Sequence, residues 1–130
     1  MKPAIRVETA AAIQNLAAAL NLPYNTQMQD WAVEVFTLAS IEMYLNHYGL
    51  ITDDDEKFLL MELIILAIND QENIQKLELY WEKARPWLAS DFAIHEFTVY
   101  YWCRFESKSP SHEWEISPYL RSFWADMKDI

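Results

Sequence analysis

Eleven residues near the middle of the chain, Phe58 to Ile68, contain one polar side chain, Glu62. Four acids in succession, Asp53 to Glu56, stand shortly before this run, where the dipole of an α-helix favours negative charge. Thr52 or Asp53 is placed to cap such a helix. A helix that is apolar on nearly all sides belongs at the centre of a domain. The run therefore predicts a central core helix.

Glycine is almost absent, since Gly49 is the only one in 130 residues. Barrels and sandwiches use glycine at many tight turns, so this scarcity favours helices joined by short polar connections. Apolar residues recur at helical spacing along the chain. We expect helix boundaries at Thr9 (N-cap), Asn21 with Pro23 (end), Gly49 (left-handed end), Arg85 (kink or end before Pro86), Ser90 (N-cap) and Ser117-Pro118 (N-cap and first turn).

Two aromatic segments are ambiguous between helix and strand. WAVEVF, Trp31 to Phe36, alternates weakly and stays undecided, with helix favoured from about Thr37. FTVYYWC, Phe97 to Cys103, has high β propensity, yet its helical surroundings favour helix. If both segments were strands, they would form a minor β-ribbon. The predicted fold is all-α, a single compact domain (1–130) of five to six helices around a central apolar helix at about 53–69.

Negative charge is the main functional signal. Twenty acids against ten bases give a net charge of −10, which repels nucleic-acid phosphates and anionic membrane surfaces and attracts a basic protein. Between Asp30 and Glu62 eight acids stand against Lys57 alone. Solubility is the simpler explanation of such a charge. As a binding surface, it would use steering acids with aromatic anchors, and the candidates are Asp53, Asp54, Asp55 and Glu56, then Glu34 and Glu42, with Trp31 or Trp114 as the exposed anchor.

No motif for catalysis or metal binding is visible. His47, His95 and His112 are far apart in sequence, and the acidic run lacks the alternating ligands and the glycine of a calcium loop. Cys103 is expected to be a buried, unreactive thiol. We therefore expect no enzyme activity, no cofactor and no metal site. A single cysteine and the lack of a cleavable leader or an 18-residue apolar stretch predict a cytoplasmic chain.

Four segments carry a resemblance to a known group of proteins: QMQDW, LITDDDEKFLLMELI, the YYW of TVYYWC, and ISPYLR. Together, over most of the chain from Ala4 to Trp124, they resemble small acidic bacterial proteins interpreted as immunity proteins of polymorphic or contact-dependent toxin systems. The resemblance implies an α-helical cytoplasmic protein that neutralises a cognate toxin by tight binding. It implies no catalytic residues.

Two other functions stay open at this stage. A generic helical interaction or adaptor module, monomeric or homodimeric through its surplus tryptophans, would have the same composition. An enzyme would need a pocket where two acids, or a histidine and an acid, converge. The sequence singles out no such pair.

Overall fold

The computed structural model describes residues 2–106 and 114–129, and all regular secondary structure within them is helical. The predicted all-α class is confirmed. The expected five to six helices are too few, and the minor β-ribbon is wrong, because both ambiguous segments are helical. In the described residues the elements are α1 (Ala10–Leu20), α2 (Trp31–Val35), a 3₁₀-helix (Leu38–Ser40), α3 (Ile41–Tyr48), α4 (Asp54–Asn69), α5 (Ile74–Ser90), α6 (Phe92–Cys103) and α7 (Ser117–Lys128).

The chain divides into two compact units. The first, which we call the acidic unit, is Val7–Ala67, and the second, the aromatic unit, combines Met1–Arg6 with Ile68–Ile130. The acidic unit has nine acids, one base and six aromatic residues. The aromatic unit has eleven acids, nine bases and thirteen aromatic residues. Net charges of −8 and −2 follow from these counts, so most of the negative charge belongs to one unit.

Local caps define the first two helices of the acidic unit. The hydroxyl of Thr9 accepts a hydrogen bond from the amide of Ala12 (3.2 Å), and Asn21 ends α1 in the left-handed conformation with φ 54°, as expected for both residues. At α2 the carboxylate of Glu34 accepts hydrogen bonds from the amides of Gln29 (3.1 Å) and Asp30 (3.0 Å). These two bonds satisfy amides at the start of the segment, which favours helix over strand there.

The central apolar helix is confirmed as α4. Asp53 caps it, since its side-chain oxygen accepts a hydrogen bond from the amide of Glu56 (3.0 Å). Ten of the eleven residues of the apolar run, all except Glu62, are buried. The expected left-handed end of the preceding helix is wrong, because Gly49 has φ −69° and lies in the right-handed region.

In the aromatic unit, α5 does not end before Pro86 but continues through it to Ser90. A proline removes one backbone hydrogen bond, and burial of Ala84 and Leu88 on either side of it keeps this helix packed. Ser90 is therefore the last residue of α5 and not the N-cap of α6, the position that Asp91 occupies.

The packing of α7 on the end of α6 explains why Ser117 is not the N-cap that the sequence predicts. Ser117 is the first residue of α7 rather than its N-cap, and its buried hydroxyl donates a hydrogen bond to the carbonyl of Trp102 (2.7 Å). One turn later, Arg121 donates to the carbonyl of Cys103 (2.8 Å). Two carbonyls that the end of α6 leaves open are thus satisfied by α7. Arg104 then ends α6 with φ 57°.

Candidate functional site

Carboxylates lie along the pair of helices α1 and α4 in the acidic unit. The amide of Asn15 donates to the carboxylate of Glu56 (3.3 Å) near the start of α4. One to two turns further along α4, Glu62 is close enough to Glu8, just before α1, for the two carboxylates to repel each other. The two helices therefore run antiparallel, with acids at both ends of their contact.

Glu62 is the most perturbed acid of this surface. Burial, and then the carboxylates of Glu8 and Asp30, raise the pKa of Glu62 to about 7. The carboxyl group of Glu62 therefore titrates close to neutral pH. Neither Glu8, Asp30 nor Glu62 was among the predicted site residues. The sequence does mark Glu62 as unusual, because it is the one polar residue of the apolar run.

Exposed apolar side chains accompany two of the predicted acids. Val33, next to Glu34 on α2, is 48% exposed, and Met43, next to Glu42 on α3, is 39% exposed. Glu34 and Glu42 are themselves exposed. A partner that contacts these acids would also bury the neighbouring apolar side chains, which adds to the binding energy.

The acidic run at the start of α4 combines structural and solvent-exposed side chains. Asp53 caps the helix and Glu56 accepts a hydrogen bond from Asn15, while Asp54 is exposed and Asp55 is partly buried. Charge at a helix N-terminus is stabilised by the helix dipole, so this run needs no partner in order to exist. Its negative potential nevertheless extends into solvent.

The prediction that Trp31 is an exposed aromatic anchor is wrong. This residue is 2% exposed, and its indole N–H donates to the carbonyl of Pro23 (2.7 Å), which holds the ring inside the acidic unit. Tyr44 and Tyr48, which also stand among the acids in sequence, are buried as well. Trp114 is half-buried and belongs to the aromatic unit.

The histidines and the cysteine are not gathered into one site in the described ranges. His95 is fully buried, His47 is half-buried, and His112 lies outside the described residues. Cys103 is buried, and this burial raises the pKa of its thiol to about 12. Over residues 2–106 and 114–129, no group of three or more histidine, cysteine or acidic side chains is placed to hold a metal ion.

Within that same part of the chain, no helix has both the length and the apolar content needed to cross a membrane. Comparisons with protein-family models, with curated proteins and with solved structures gave no match.

Proposed function

We propose that the protein binds a basic protein through its acidic unit and inhibits it, as the cytoplasmic immunity partner of a bacterial toxin. The observation that supports this proposal is the concentration of nine acids against one base in the acidic unit, where the charges of Glu8 and Asp30 add to the cost of ionising the largely buried Glu62. Unrelieved repulsion among carboxylates lowers the stability of the free protein. A cationic partner would remove this repulsion.

The mechanism has two steps. The negative potential of the acidic unit first steers a positively charged partner into contact, which raises the association rate and makes it sensitive to salt. Exposed apolar side chains such as Val33 and Met43 then bury surface and slow dissociation. Many toxin domains that attack nucleic acids are basic, and a carboxylate surface seated on such a domain would compete with the phosphates.

The test begins with the gene beside that of this protein. We expect co-expression of its product with the chain to yield a stable complex and to rescue host cells from growth arrest. Asp54→Asn combined with Glu42→Gln should lower the association rate about fivefold at low salt, because both side chains are exposed and belong to the acidic unit.

The matched control is Glu82→Gln combined with Glu115→Gln, two exposed acids of the aromatic unit that change the net charge equally. This control should leave the association rate within about twofold of the parent. Equal slowing by both double variants would show that only total charge matters, and would contradict a binding site on the acidic unit.

A second measurement follows Glu62. A cationic partner should lower its pKa, so that binding at pH 7 releases about half a proton per complex. Calorimetry in two buffers of different ionisation enthalpy measures this release. Glu62→Gln should abolish it while leaving binding intact. Proton release that persists in Glu62→Gln would assign it to other groups.

A homodimeric adaptor is the second candidate. The aromatic unit favours it by exposing large apolar side chains: Leu79 is 51% exposed, Tyr101 55% and Phe105 47%. Such residues on a surface are typical of interaction sites when they form a patch. Light scattering over a concentration series separates the two functions, since a stable homodimer without affinity for the toxin would support the adaptor.

A further inference from the structure

A groove with a volume of about 450 Å³ opens near the C-terminal end of α6, within the aromatic unit. The aromatic rings of its lining come from α6 and from the residue after Arg104: Phe97, Tyr100, Tyr101 and Phe105. The first residues of the chain, including Lys2 and Ile5, complete the lining. Pockets of this size hold small molecules.

Neighbouring rings hold the lining in place. Tyr100 packs against Phe105 and Trp124, with ring centroids 5.6 and 5.4 Å apart. Phe97 packs against Tyr101 at 6.4 Å. Tyr101 and Phe105 nevertheless remain about half exposed. A ligand would therefore find aromatic surface that is already ordered, which lowers the entropic cost of binding.

The charges in the lining favour an anion. Lys2 and Arg104 supply two positive charges, and Glu106 supplies one negative charge, in a protein whose net charge is −10. The ammonium of Lys2 lies 3.1 Å from the carboxylate of Glu106, which raises the pKa of Lys2. The guanidinium of Arg104 lies over the ring of Trp114, 4.4 Å from its centroid. Such stacking fixes the guanidinium plane beside the groove.

We propose that this groove binds a small planar aromatic molecule that carries one carboxylate. The rings of Tyr101 and Phe105 contact its flat apolar body, and Arg104 with Lys2 receives its carboxylate. Aromatic faces also attract organic cations. The ammonium of Lys2 and the guanidinium of Arg104 would repel a cationic ligand. The groove should therefore prefer an aromatic carboxylate to an aromatic amine.

The test uses three naphthalenes of equal shape, added to the full-length protein and followed by NMR: 2-naphthoate, 2-naphthalenemethanol and 2-naphthylmethylamine. Signals of Tyr101 and Phe105 should shift on titration. The anion should bind about fivefold more tightly than the neutral alcohol, as expected for one partly exposed charge pair, and the amine should bind most weakly.

Three variants locate the contacts. Arg104→Asn removes the charge and should weaken 2-naphthoate about fivefold, and asparagine tolerates the left-handed conformation of this position. Tyr101→Ala should weaken all three ligands about tenfold through lost ring contact. Glu106→Gln removes the competing carboxylate and should strengthen 2-naphthoate about twofold. A gain of affinity cannot arise from misfolding. The matched control is Tyr24→Ala, a tyrosine of the acidic unit that is 37% exposed.

Three results would overturn the proposal. One is binding of 2-naphthylmethylamine that is as tight as, or tighter than, binding of 2-naphthoate. A second is an unchanged affinity for 2-naphthoate in both Arg104→Asn and Glu106→Gln. The third is a set of groove signals that shift with protein concentration alone, together with dimers in sedimentation, because a second copy of the chain would then cover the rings.

Discussion

The two units of this molecule manage charge in opposite ways. In the aromatic unit most of the charge is balanced, with nine bases for eleven acids, whereas the acidic unit has one base for nine acids. Cations of the aromatic unit lie on rings: Arg104 over Trp114, Lys128 over Trp124 and Arg85 over Phe123. Lys128 and Arg85 also pair with Glu96 and Asp126. One unit thus pairs most of its charges internally, while the other carries a net charge of −8.

The cores differ in the same way. The core of the acidic unit combines the aliphatic side chains of α4 with a few buried rings such as Trp31 and Tyr44, whereas the aromatic unit contains a network of rings packed on one another. Phe123 is central to those rings, 1% exposed and packed edge-on against Trp81 and Phe92. The comparison suggests that the two units respond to different perturbations, and four experiments test this.

The largest effect is expected from Phe123→Ala. Removal of this buried ring should lower the free energy of unfolding by about 4 kcal/mol, measured by urea denaturation. The matched control is Phe105→Ala, because Phe105 is 47% exposed and should cost less than about 1 kcal/mol. Hydrogen exchange should show the loss of protection concentrated in α5, α6 and α7. Equal loss in α1 and α4 would show that the two units unfold as one.

Glu62→Gln should instead stabilise the protein, by an amount that grows as the pH rises from about 4 to about 7 and then levels off. The pKa of Glu62 is about 7 when folded, above its value of about 4.3 in an unfolded chain, so its favourable contribution is complete below pH 4 and is lost as the pH rises to about 7. The substitution should therefore add up to about 3 kcal/mol at pH 8 and almost nothing at pH 4. Glu82→Gln, an exposed acid of the aromatic unit, should show no such dependence. A pH-independent effect of Glu62→Gln would contradict a pKa of Glu62 raised by burial and by the neighbouring carboxylates.

Asp53→Ala should have a smaller effect, a loss of about 1 kcal/mol measured by thermal denaturation, because the cap of α4 disappears. Asp53→Asn keeps an oxygen that can accept the same hydrogen bond and should restore most of the loss. If both variants lost equally, the charge at the helix dipole rather than the cap would stabilise this end of α4.

The smallest effect is expected in the aromatic unit at the exposed pair Arg85–Asp126, whose charged atoms lie 3.0 Å apart. Asp126→Asn should cost no more than about 0.5 kcal/mol, and 1 M salt should remove the difference. A cost above 1 kcal/mol would show that ion pairs, and not rings, stabilise this unit.

Patterns set by neighbours in sequence predicted the fold well. Thr9, Asn21 and the capped apolar run over about 53–69 depend on contacts within a turn or two, and these were found as expected. Ser117 as an N-cap and a helix end before Pro86 were wrong, because tertiary packing decides both positions. The hydroxyl of Ser117 bonds to a carbonyl fifteen residues earlier, and burial on both sides of Pro86 keeps α5 continuous.

The candidate site was harder to predict, since exposure does not follow from residue type. Trp31 stands among acids in sequence, yet its ring is buried through a hydrogen bond to Pro23. Glu8 and Glu62 are 54 positions apart, and only the antiparallel packing of α1 and α4 brings their charges into range. The exposure of the rings between Phe97 and Cys103 was equally hard to predict, because a helix exposes some of them to solvent and buries others.

The single thiol of the chain offers a way to time motions of the aromatic unit without engineering. Cys103 is fully buried beneath the contact between α6 and α7, and its pKa of about 12 keeps it protonated at pH 8. A thiol reagent can therefore react only while that contact is open. The rate of labelling under native conditions then gives the opening frequency of the helix pair. A ligand that fills the groove beside this pair should lower the labelling rate.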